Sequence, residues 1–465
     1  MNPTASFASA VVLHHLGLVG WPREYARVEI LDRPGTAAAD SVRTSLAKGT
    51  LVVALQPTPG FSGVFGVSGT FALAAPPFDL LMSDEPVAPL LRRTCRWLRE
   101  RSRNLHVPRL RTLHPAAIFS DRAGEAVLRM PNGDVTWLWL PTERAGLLLV
   151  GTDLAGDLVR YRQGDPAEAA RQQNREKWGI AGERPNYLFE RQRSGEPAGA
   201  RHVDEWAWFL GRFLAAVIGI RLDPVLPGDA SGAIVLTGDD DQAELEMYRE
   251  QLALIGDAPI TYFLHPLTKH TRATLDAARV RRGVALGLHP DALDAPDRYE
   301  ERFREQASWY RDLVGEPPRL LRNHGYLNRG YWGHLKAWLE GGVKLSSNIP
   351  GLDGSVVNGS LLPARVAYDD ALTGHWSVLT AIGDGVLFIG KWSAERAAAR
   401  VSDLGAEVRR SGMPGVIVLN LHPQNVRVAE PMHRAALELI RGGFVAWTLA
   451  ECLEWFQTRD TAAAS

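Results

Sequence analysis

Short apolar runs of strand length recur along the second half of the chain, and stretches with the apolar spacing of helices separate them. The runs lie at residues 233–237, 259–264, 283–287, 319–322, 342–346, 385–389 and 415–421. This alternation predicts parallel β/α units, in which a helix returns the chain to the start of the next strand. Seven runs in one half of a 465-residue chain favour a β/α barrel over an open sheet.

The first half shows a similar alternation of strand-like and helix-like segments. Apolar runs at residues 28–31 and 49–55 flank a helical stretch at 38–46, which is the pattern of a parallel α/β unit. The run at 146–153 is the strongest strand candidate in this half. An aromatic-rich segment at 204–214 has the spacing of a helix whose apolar face packs in the core.

A segment rich in proline, glycine and small polar residues, 223–232, lies between the two halves. Such a composition is typical of a linker. We therefore predict an α/β domain at residues 1–225 and a β/α barrel at residues 226–465.

The net charge and the apolar stretches of the chain limit the kinds of molecule that it is expected to bind. With 52 basic and 53 acidic residues the formal net charge is −1, so the overall charge favours neither nucleic acid nor an anionic membrane as partner. No stretch has the length and apolarity of a membrane span, and His14 and His15 interrupt the segment that is closest to a signal peptide. We expect a cytoplasmic protein that binds a small molecule or a carbohydrate, and the sequence does not indicate its oligomeric state.

The two cysteines, Cys95 and Cys452, are far apart and have no metal-binding spacing, which argues against a disulfide framework and against a thiolate zinc site. Cys95 lies in an arginine-rich segment at 91–101 that has the pattern of an amphipathic helix. We interpret its basic face as solvated rather than as a nucleic-acid surface, because acidic residues elsewhere balance its charge and no aromatic stacking pattern accompanies it.

Polar side chains follow most of the predicted strands of the second half. In a β/α barrel the residues just past the C-terminal ends of the strands face one mouth, where the active sites of such folds lie. The residues at these positions are Asp239, Asp240, Asp241, His265, His289, Asp291, Arg322, Asn323, His324, Asn348 and His422. Imidazole and carboxylate groups are usual ligands of a catalytic zinc ion, which needs three protein ligands and one open position.

Three consecutive carboxylates, Asp239, Asp240 and Asp241, end the first of these strands. Adjacent like charges repel one another, and a bound divalent cation would compensate them. Alternatively, Asp241 caps the helix that follows, and its neighbours are solvated.

The same segment carries a resemblance to a known family. Thr237-Gly238-Asp239-Asp240-Asp241 matches, at three of five positions, the motif Thr-Phe-Asp-Asp-Gly of the polysaccharide deacetylase superfamily. The resemblance implies a metal-dependent N-deacetylase on a distorted β/α barrel. It also implies that Asp239 is the catalytic base and Asp240 a metal ligand.

Later segments resemble the other motifs of this family. Gly287 and His289 fit the start of a Gly-x-His motif, which implies that His289 is a second ligand, while Leu293 replaces the second histidine of that motif. Arg322 matches the arginine that orients the base, although the prolines beside it are missing. His422 matches the histidine that acts as general acid.

The replaced histidine leaves the third metal ligand open. His324 is the first candidate because it lies just beyond the fourth strand, and His265 and Asn348 are the alternatives. A barrel without a metal is the remaining possibility, because two ligands hold a divalent ion weakly. Asp241, Asn323, Asn348 and His265 are expected to support the ligands or to contact the substrate.

The first half is weakly similar to glutamine-amidotransferase-like and flavodoxin-like domains. A glutaminase needs a nucleophilic cysteine at a strand-to-helix turn, and Cys95 lies in a predicted helix instead. The resemblance therefore implies the scaffold without that chemistry, in a substrate-shaping or assembly role.

Together the resemblances imply a metal-dependent hydrolase that cleaves an amide C–N bond. The expected reaction is N-deacetylation of an N-acetylated sugar or sugar-containing metabolite, with a divalent metal, zinc first, as cofactor. One alternative is a non-catalytic carbohydrate-binding or assembly protein on a degenerate barrel. Another is a glycosidase with paired carboxylates, whose activity would survive chelation.

Overall fold

The computed structural model describes most of the chain, in two large sheets with helices around them. The described residues are 6–22, 28–72, 78–79, 81–82, 110–114, 116–120, 124–143, 145–170, 184–193, 196–241, 243–280, 283–351 and 353–460. The arginine-rich segment at 91–101, with Cys95, lies outside them.

The first sheet is mixed. Its strands are β1 (Val28–Asp32), β2 (Leu51–Leu55), β3 (Gly69–Ala72), β5 (Leu81–Met82), β7 (Ala116–Phe119), β8 (Glu125–Arg129), β9 (Val135–Pro141) and β10 (Gly146–Val150), while β4 (Phe78–Asp79) and β6 (Arg111–Thr112) form a separate pair. The main path runs β1-β2-β10-β9-β7-β3. Within this sheet, only the pairings β1–β2 and β2–β10 are parallel among the described strands, so the flavodoxin-like prediction is not confirmed.

Helices pack on both sheets. Those of the first half are α1 (Phe7–Leu18), α2 (Ala39–Ala47), α3 (Pro59–Val64), α4 (Leu154–Gln163), α5 (Glu190–Arg193) and α6 (His202–Ile218). Those of the second half are α7 (Leu245–Ile255), α8 (Arg272–Val280), α9 (Tyr299–Val314), α10 (Leu335–Glu340), α11 (Gly385–Phe388), α12 (Ala394–Ser411), α13 (Glu430–Arg441) and α14 (Leu449–Gln457). None of the helices within the described ranges is long and apolar enough to cross a membrane.

The second sheet closes into a barrel. Its strands are β11 (Gly232–Asp239), β12 (Ile260–Leu264), β13 (Val284–Leu288), β14 (Leu320–Leu321), β15 (Leu345–Pro350), β17 (Ala371–Gly383) and β18 (Gly415–Asn420). They pair in parallel in this order, and β18 and β12 both pair with β11, which closes the ring. Outside the ring, β16 (Ala364–Tyr368) runs antiparallel to β17, and β19 (Val445–Trp447) runs parallel to β11. The predicted seven-stranded β/α barrel is confirmed.

Strand β11 shows why this part of the chain forms a barrel wall. All eight of its residues are buried, as expected for a strand covered on both faces. Ala233 and Val235 belong to a cluster that also contains Phe263 of β12, whereas Ile234 and Leu236 belong to the cluster that includes the helices. Alternate residues therefore face the barrel interior and the helical layer.

One predicted strand is wrong. Residues 385–388 form helix α11, and the sixth barrel strand is β17, which ends at Gly383. The run at 385–389 is apolar because it lines the mouth of the barrel, and a short apolar run does not distinguish a strand from a helix.

A short segment of the first half packs on the barrel. Tyr187, Leu188 and Phe189 are buried in the same cluster as the barrel helices. The Asn186 side chain donates a hydrogen bond to the carbonyl oxygen of Pro350 at the end of β15, at 2.9 Å. The predicted domain boundary at residue 225 stays a prediction.

We expect His375 of β17 to make stability depend on pH. Burial lowers the pKa of His375 to about 4, and its Nε2 lies 2.8 Å from the hydroxyl oxygen of Ser346. Since an unfolded histidine has a pKa near 6.5, the unfolded state binds more protons between pH 6.5 and 4, and stability falls as the pH falls through this window. One such group contributes up to about 1.4 kcal/mol per pH unit. Urea unfolding of His375→Gln should show a shallower loss between pH 6.5 and 4.5 than the wild type, and equal slopes would contradict this prediction.

Candidate active site

A buried ion pair lies at the centre of the barrel mouth. Asp239, the last residue of β11, accepts a hydrogen bond from Nη1 of Arg322 at 2.8 Å. Its other oxygen accepts one from the side-chain amide of Asn420 at 2.7 Å. Burial alone would raise the pKa of Asp239, but Arg322 and two nearby histidines outweigh it and lower the pKa below the ordinary value. The carboxylate is therefore held ionised and in a fixed orientation.

Arg322 is fully buried, and each nitrogen of its guanidinium group has a hydrogen-bond acceptor. Its Nε donates to the backbone carbonyl of Ser347 at 3.1 Å, and its Nη2 lies within hydrogen-bonding distance of the hydroxyls of Ser347 and Thr380. The guanidinium also lies 4.5 Å from the ring centre of Phe263. The predicted contact between Arg322 and Asp239 is present in the structure.

Beside this pair, three residues could hold a metal ion. The nearest ligand atoms of Asp241, His289 and His324 all lie within 4.8 Å of one another. Nε2 of His289 is 3.3 Å from Oδ1 of Asp241, and Nε2 of His324 is 3.7 Å from the same oxygen. His324, the first candidate for the third ligand, thus lies in the same group as His289.

Backbone contacts orient His289 within this group. Its Nδ1–H donates to the carbonyl oxygen of Arg322 at 2.7 Å, which fixes the tautomer and leaves Nε2 facing Asp241. Burial alone would raise the pKa of Asp241, but the neighbouring imidazole of His289 and the charge of His422 hold it well below its ordinary value. The site therefore offers an ionised carboxylate beside an imidazole nitrogen.

His422 lies on the opposite side of Asp241 and is paired with a carboxylate that the motifs did not indicate. Its Nδ1 donates to Oδ1 of Asp384 at 2.5 Å, and its backbone N–H donates to Oδ2 at 2.8 Å. Its Nε2 is 3.4 Å from Asp241 and 3.7 Å from Asp239. Burial would lower the pKa of His422, but Asp384 above all raises it to about 10. Asp384 follows β17, so a correct placement of that strand would have found it.

Asp240 is not part of this cluster. It continues the helix-facing side of β11. Burial raises the pKa of Tyr248 on α7, and the charge of Asp240 raises it further. Asp241 is the carboxylate that reaches the histidines, so the prediction of Asp240 as ligand and Asp241 as supporting residue does not agree with the geometry. Asp241 does not cap α7 either, because that helix begins at Leu245 after Glu244.

The other predicted residues lie around the site without entering it. The side-chain oxygen Oδ1 of Asn348 accepts the backbone N–H of Asn323 at 3.0 Å, and the side-chain amides of both residues donate to the backbone carbonyl of Leu327. These bonds fix the turn that carries His324. His265 lies on its far side, with its ring centre 5.2 Å from that of His324. The Asn348 and His265 alternatives for the third ligand are thus not favoured by the geometry.

A cavity of about 510 Å³ opens over these residues. Asp239, Asp241 and His422 lie at its base, and an apolar wall is formed by Val386, Phe388, Ile389 and Trp392. On this wall Phe388 is 54% exposed, which is unusual for a large apolar side chain. The cavity can therefore admit a ligand with one apolar face against the polar base.

Comparison with known proteins gives matches among solved structures. The chain is similar to the catalytic domain of a peptidoglycan N-acetylglucosamine deacetylase from Eubacterium rectale, with 15% identity, a TM-score of 0.33, and coverage of 50% of this chain and 94% of that one. A family 4 carbohydrate esterase from Streptomyces lividans, in complex with acetate, has 15% identity, a TM-score of 0.32, and coverage of 47% and 92%. A chitin deacetylase from the fungal pathogen Colletotrichum lindemuthianum has 14% identity, a TM-score of 0.30, and coverage of 48% and 87%. No family model and no curated protein matches the sequence.

We expect Asp384→Asn to lower the pKa of His422 in the metal-free protein by about one to three units, because a neutral amide replaces the carboxylate that stabilises the imidazolium. An NMR titration of the His422 ring would measure this shift. Asp353→Asn is the matched control, because Asp353 lines the same cavity and is exposed. An unchanged His422 pKa in Asp384→Asn would contradict the prediction.

Proposed function

We propose that this protein is a metal-dependent hydrolase that cleaves the amide C–N bond of an N-acylated sugar or a sugar-containing metabolite. The observation that carries the proposal is the placement of two differently tuned groups beside one candidate metal cluster. Nε2 of His422, which Asp384 holds protonated, lies 3.7 Å from Oδ2 of Asp239, which Arg322 holds ionised. The same nitrogen lies 3.4 Å from Oδ2 of Asp241. A base and an acid with pKa values pushed apart are what amide hydrolysis requires.

The residues of the cluster fit a divalent ion. One carboxylate and two imidazoles are a common donor set for catalytic zinc. Oδ1 of Asp241 is buried and makes no hydrogen bond to the described residues, although it lies 3.3 Å from Nε2 of His289. An ion held by Asp241, His289 and His324 would satisfy this oxygen.

Such an ion would lower the pKa of a bound water and polarise the carbonyl oxygen of the substrate. Asp239 supplies the base: it takes a proton at Oδ2 as a water oxygen attacks the carbonyl carbon. Arg322 keeps Asp239 ionised before the attack and oriented during it. The buried position of both side chains excludes bulk water from this pair.

His422 completes the reaction. Its Nε2–H donates a proton to the amide nitrogen, because an amine does not leave as an anion. The C–N bond then breaks and gives a free amine and a carboxylic acid, so that one water molecule is consumed. Asp384 stabilises the imidazolium until the proton is transferred and holds Nε2 toward Asp241.

The substrate class rests on the motif resemblance and on the cavity. Phe388 and Trp392 on the apolar wall could stack on a sugar ring while its N-acyl group reaches Asp239. Hydrolysis of N-acetylated amino sugars by the purified protein, and loss of this activity with a chelator, tests the function. A carbohydrate that binds without turnover, with or without added zinc, would favour the non-catalytic alternative.

Metal binding should depend on Asp241 and not on Asp240. Asp241→Asn should abolish stoichiometric Zn²⁺, because it removes the anionic ligand, whereas the isosteric Asp240→Asn should retain it. Elemental analysis after equilibrium dialysis measures both. Loss of zinc in Asp240→Asn alone would restore the assignment that the motif implies.

Turnover should depend on Asp239 and His422, whereas metal binding should not. Asp239→Asn and His422→Gln should each lower kcat by about 10²- to 10⁴-fold, the usual range for general acid–base groups, with the Zn²⁺ content unchanged. His375→Gln, at a histidine buried away from the mouth, is the matched control and should keep its kcat. Near-wild-type turnover in either active-site variant would refute its role.

A further inference from the structure

A carboxylate contacts His324 on the side away from the barrel mouth. Oδ2 of Asp291 lies 3.2 Å from Nδ1 of His324 and 3.2 Å from Nε2 of His265. Its other oxygen, Oδ1, accepts the backbone N–H of Leu293 at 3.0 Å. Asp291 therefore lies between two imidazoles, of which only His324 also faces Asp241.

The backbone of Asp291 is fixed independently of these histidines. The side chain of Gln306, on α9, accepts the N–H of Asp291 at 2.8 Å and donates to its carbonyl oxygen at 2.6 Å. These two bonds and the Leu293 N–H restrict the carboxylate to one orientation. Asp291 can thus orient His324 rather than follow it.

The hydrogen bonds of His265 indicate whether His265, Asp291 and His324 form a second metal site or a group that supports His324. The backbone N–H of Leu267 donates to Nδ1 of His265 at 3.1 Å, so this nitrogen carries the lone pair. The neutral ring then carries its proton on Nε2, which faces Asp291. A metal ion at Nε2 would require removal of that proton, so Asp291 is hydrogen-bonded to His265 and lies 3.2 Å from Nδ1 of His324 as a supporting carboxylate.

We propose that Asp291 is a positioning residue that makes His324 the third metal ligand. The carboxylate holds the proton of His324 on Nδ1 and directs Nε2 toward Asp241 and His289, while His265 holds the carboxylate. Carboxylates commonly fix metal-binding histidines in this way. The proposal rests on the metal site of the proposed function.

The arrangement accounts for the replaced histidine at Leu293. The loop after β13 does not supply a second imidazole from this position, and its backbone N–H instead holds Asp291. The ligand comes from the turn after β14, and the loop contributes the carboxylate that orients it. Loss of one ligand from the loop is thus compensated by a supported ligand from the next strand end.

Zinc affinity of the purified full-length protein, measured by competition with a chromophoric chelator, tests the proposal. Asp291→Asn should weaken Zn²⁺ binding by about 10- to 100-fold, the usual effect of losing such a support, with one ion still bound at saturation. Asp294→Asn is the matched control: Asp294 lies in the same loop, and its exposed carboxylate contacts Arg302 at 3.3 Å. It should bind Zn²⁺ like the wild type.

Two further measurements separate orientation from general damage to the fold. The melting temperatures of metal-free Asp291→Asn and wild type should agree. The visible spectrum of the Co²⁺ form should change in Asp291→Asn and not in the control Asp294→Asn. His265→Gln, which leaves Asp291 in place, should weaken binding in the same direction by a smaller factor.

Wild-type affinity in both Asp291→Asn and His265→Gln would overturn the proposal and leave the metal site intact. Two ions in the wild type and one in Asp291→Asn would overturn it in favour of a second metal site. A wild-type protein that binds no zinc would refute the proposed function itself.

Discussion

The ion pair between Arg322 and Asp239 is the contact on which the rest of the site depends. Arg322 reaches from β14 across the barrel to β11, and its remaining donors contact β15 and β17, so one side chain connects four strand ends. Removal of one partner from such a buried pair usually costs about 3–5 kcal/mol, because the other charge is left without compensation. The same interaction therefore stabilises the barrel mouth and keeps Asp239 ionised.

The barrel and the strand-end residues could be predicted because both follow from local patterns. Apolar runs of strand length identified β11 through β14 and β18 closely, and the rule that active sites lie at the C-terminal strand ends identified Asp239, His289 and His422. The two-residue period of a strand also predicts which of the aspartates faces the barrel interior. Because Val235 faces the interior, Asp239 must do so too, whereas Asp240 shares the helix-facing side of Leu236.

What the sequence could not predict depends on contacts between distant segments. Asp384 was missed because the apolar run after it was assigned to a strand, while His422, its partner, lies 38 residues away. The mixed pairing of the first sheet likewise depends on which strands meet, and a short apolar run carries no information on strand direction. The support of His324 by Asp291 arises in the same way, since β13 and β14 are adjacent in the barrel but 33 residues separate the two side chains in sequence.

The conformation of Asp241 explains how a third carboxylate enters the mouth beside Asp239. Its φ is +38°, in the left-handed region, where glycine is favoured and aspartate is among the better-tolerated other residues. The motif that this segment resembles, Thr-Phe-Asp-Asp-Gly, has glycine at this position, so the backbone turn fits the motif while the side chain differs from it. A side chain there points back toward His289, whereas the strand period turns Asp240 to the helices. A carboxylate at this position thus reaches the histidines of the candidate metal cluster, which the preceding aspartate does not.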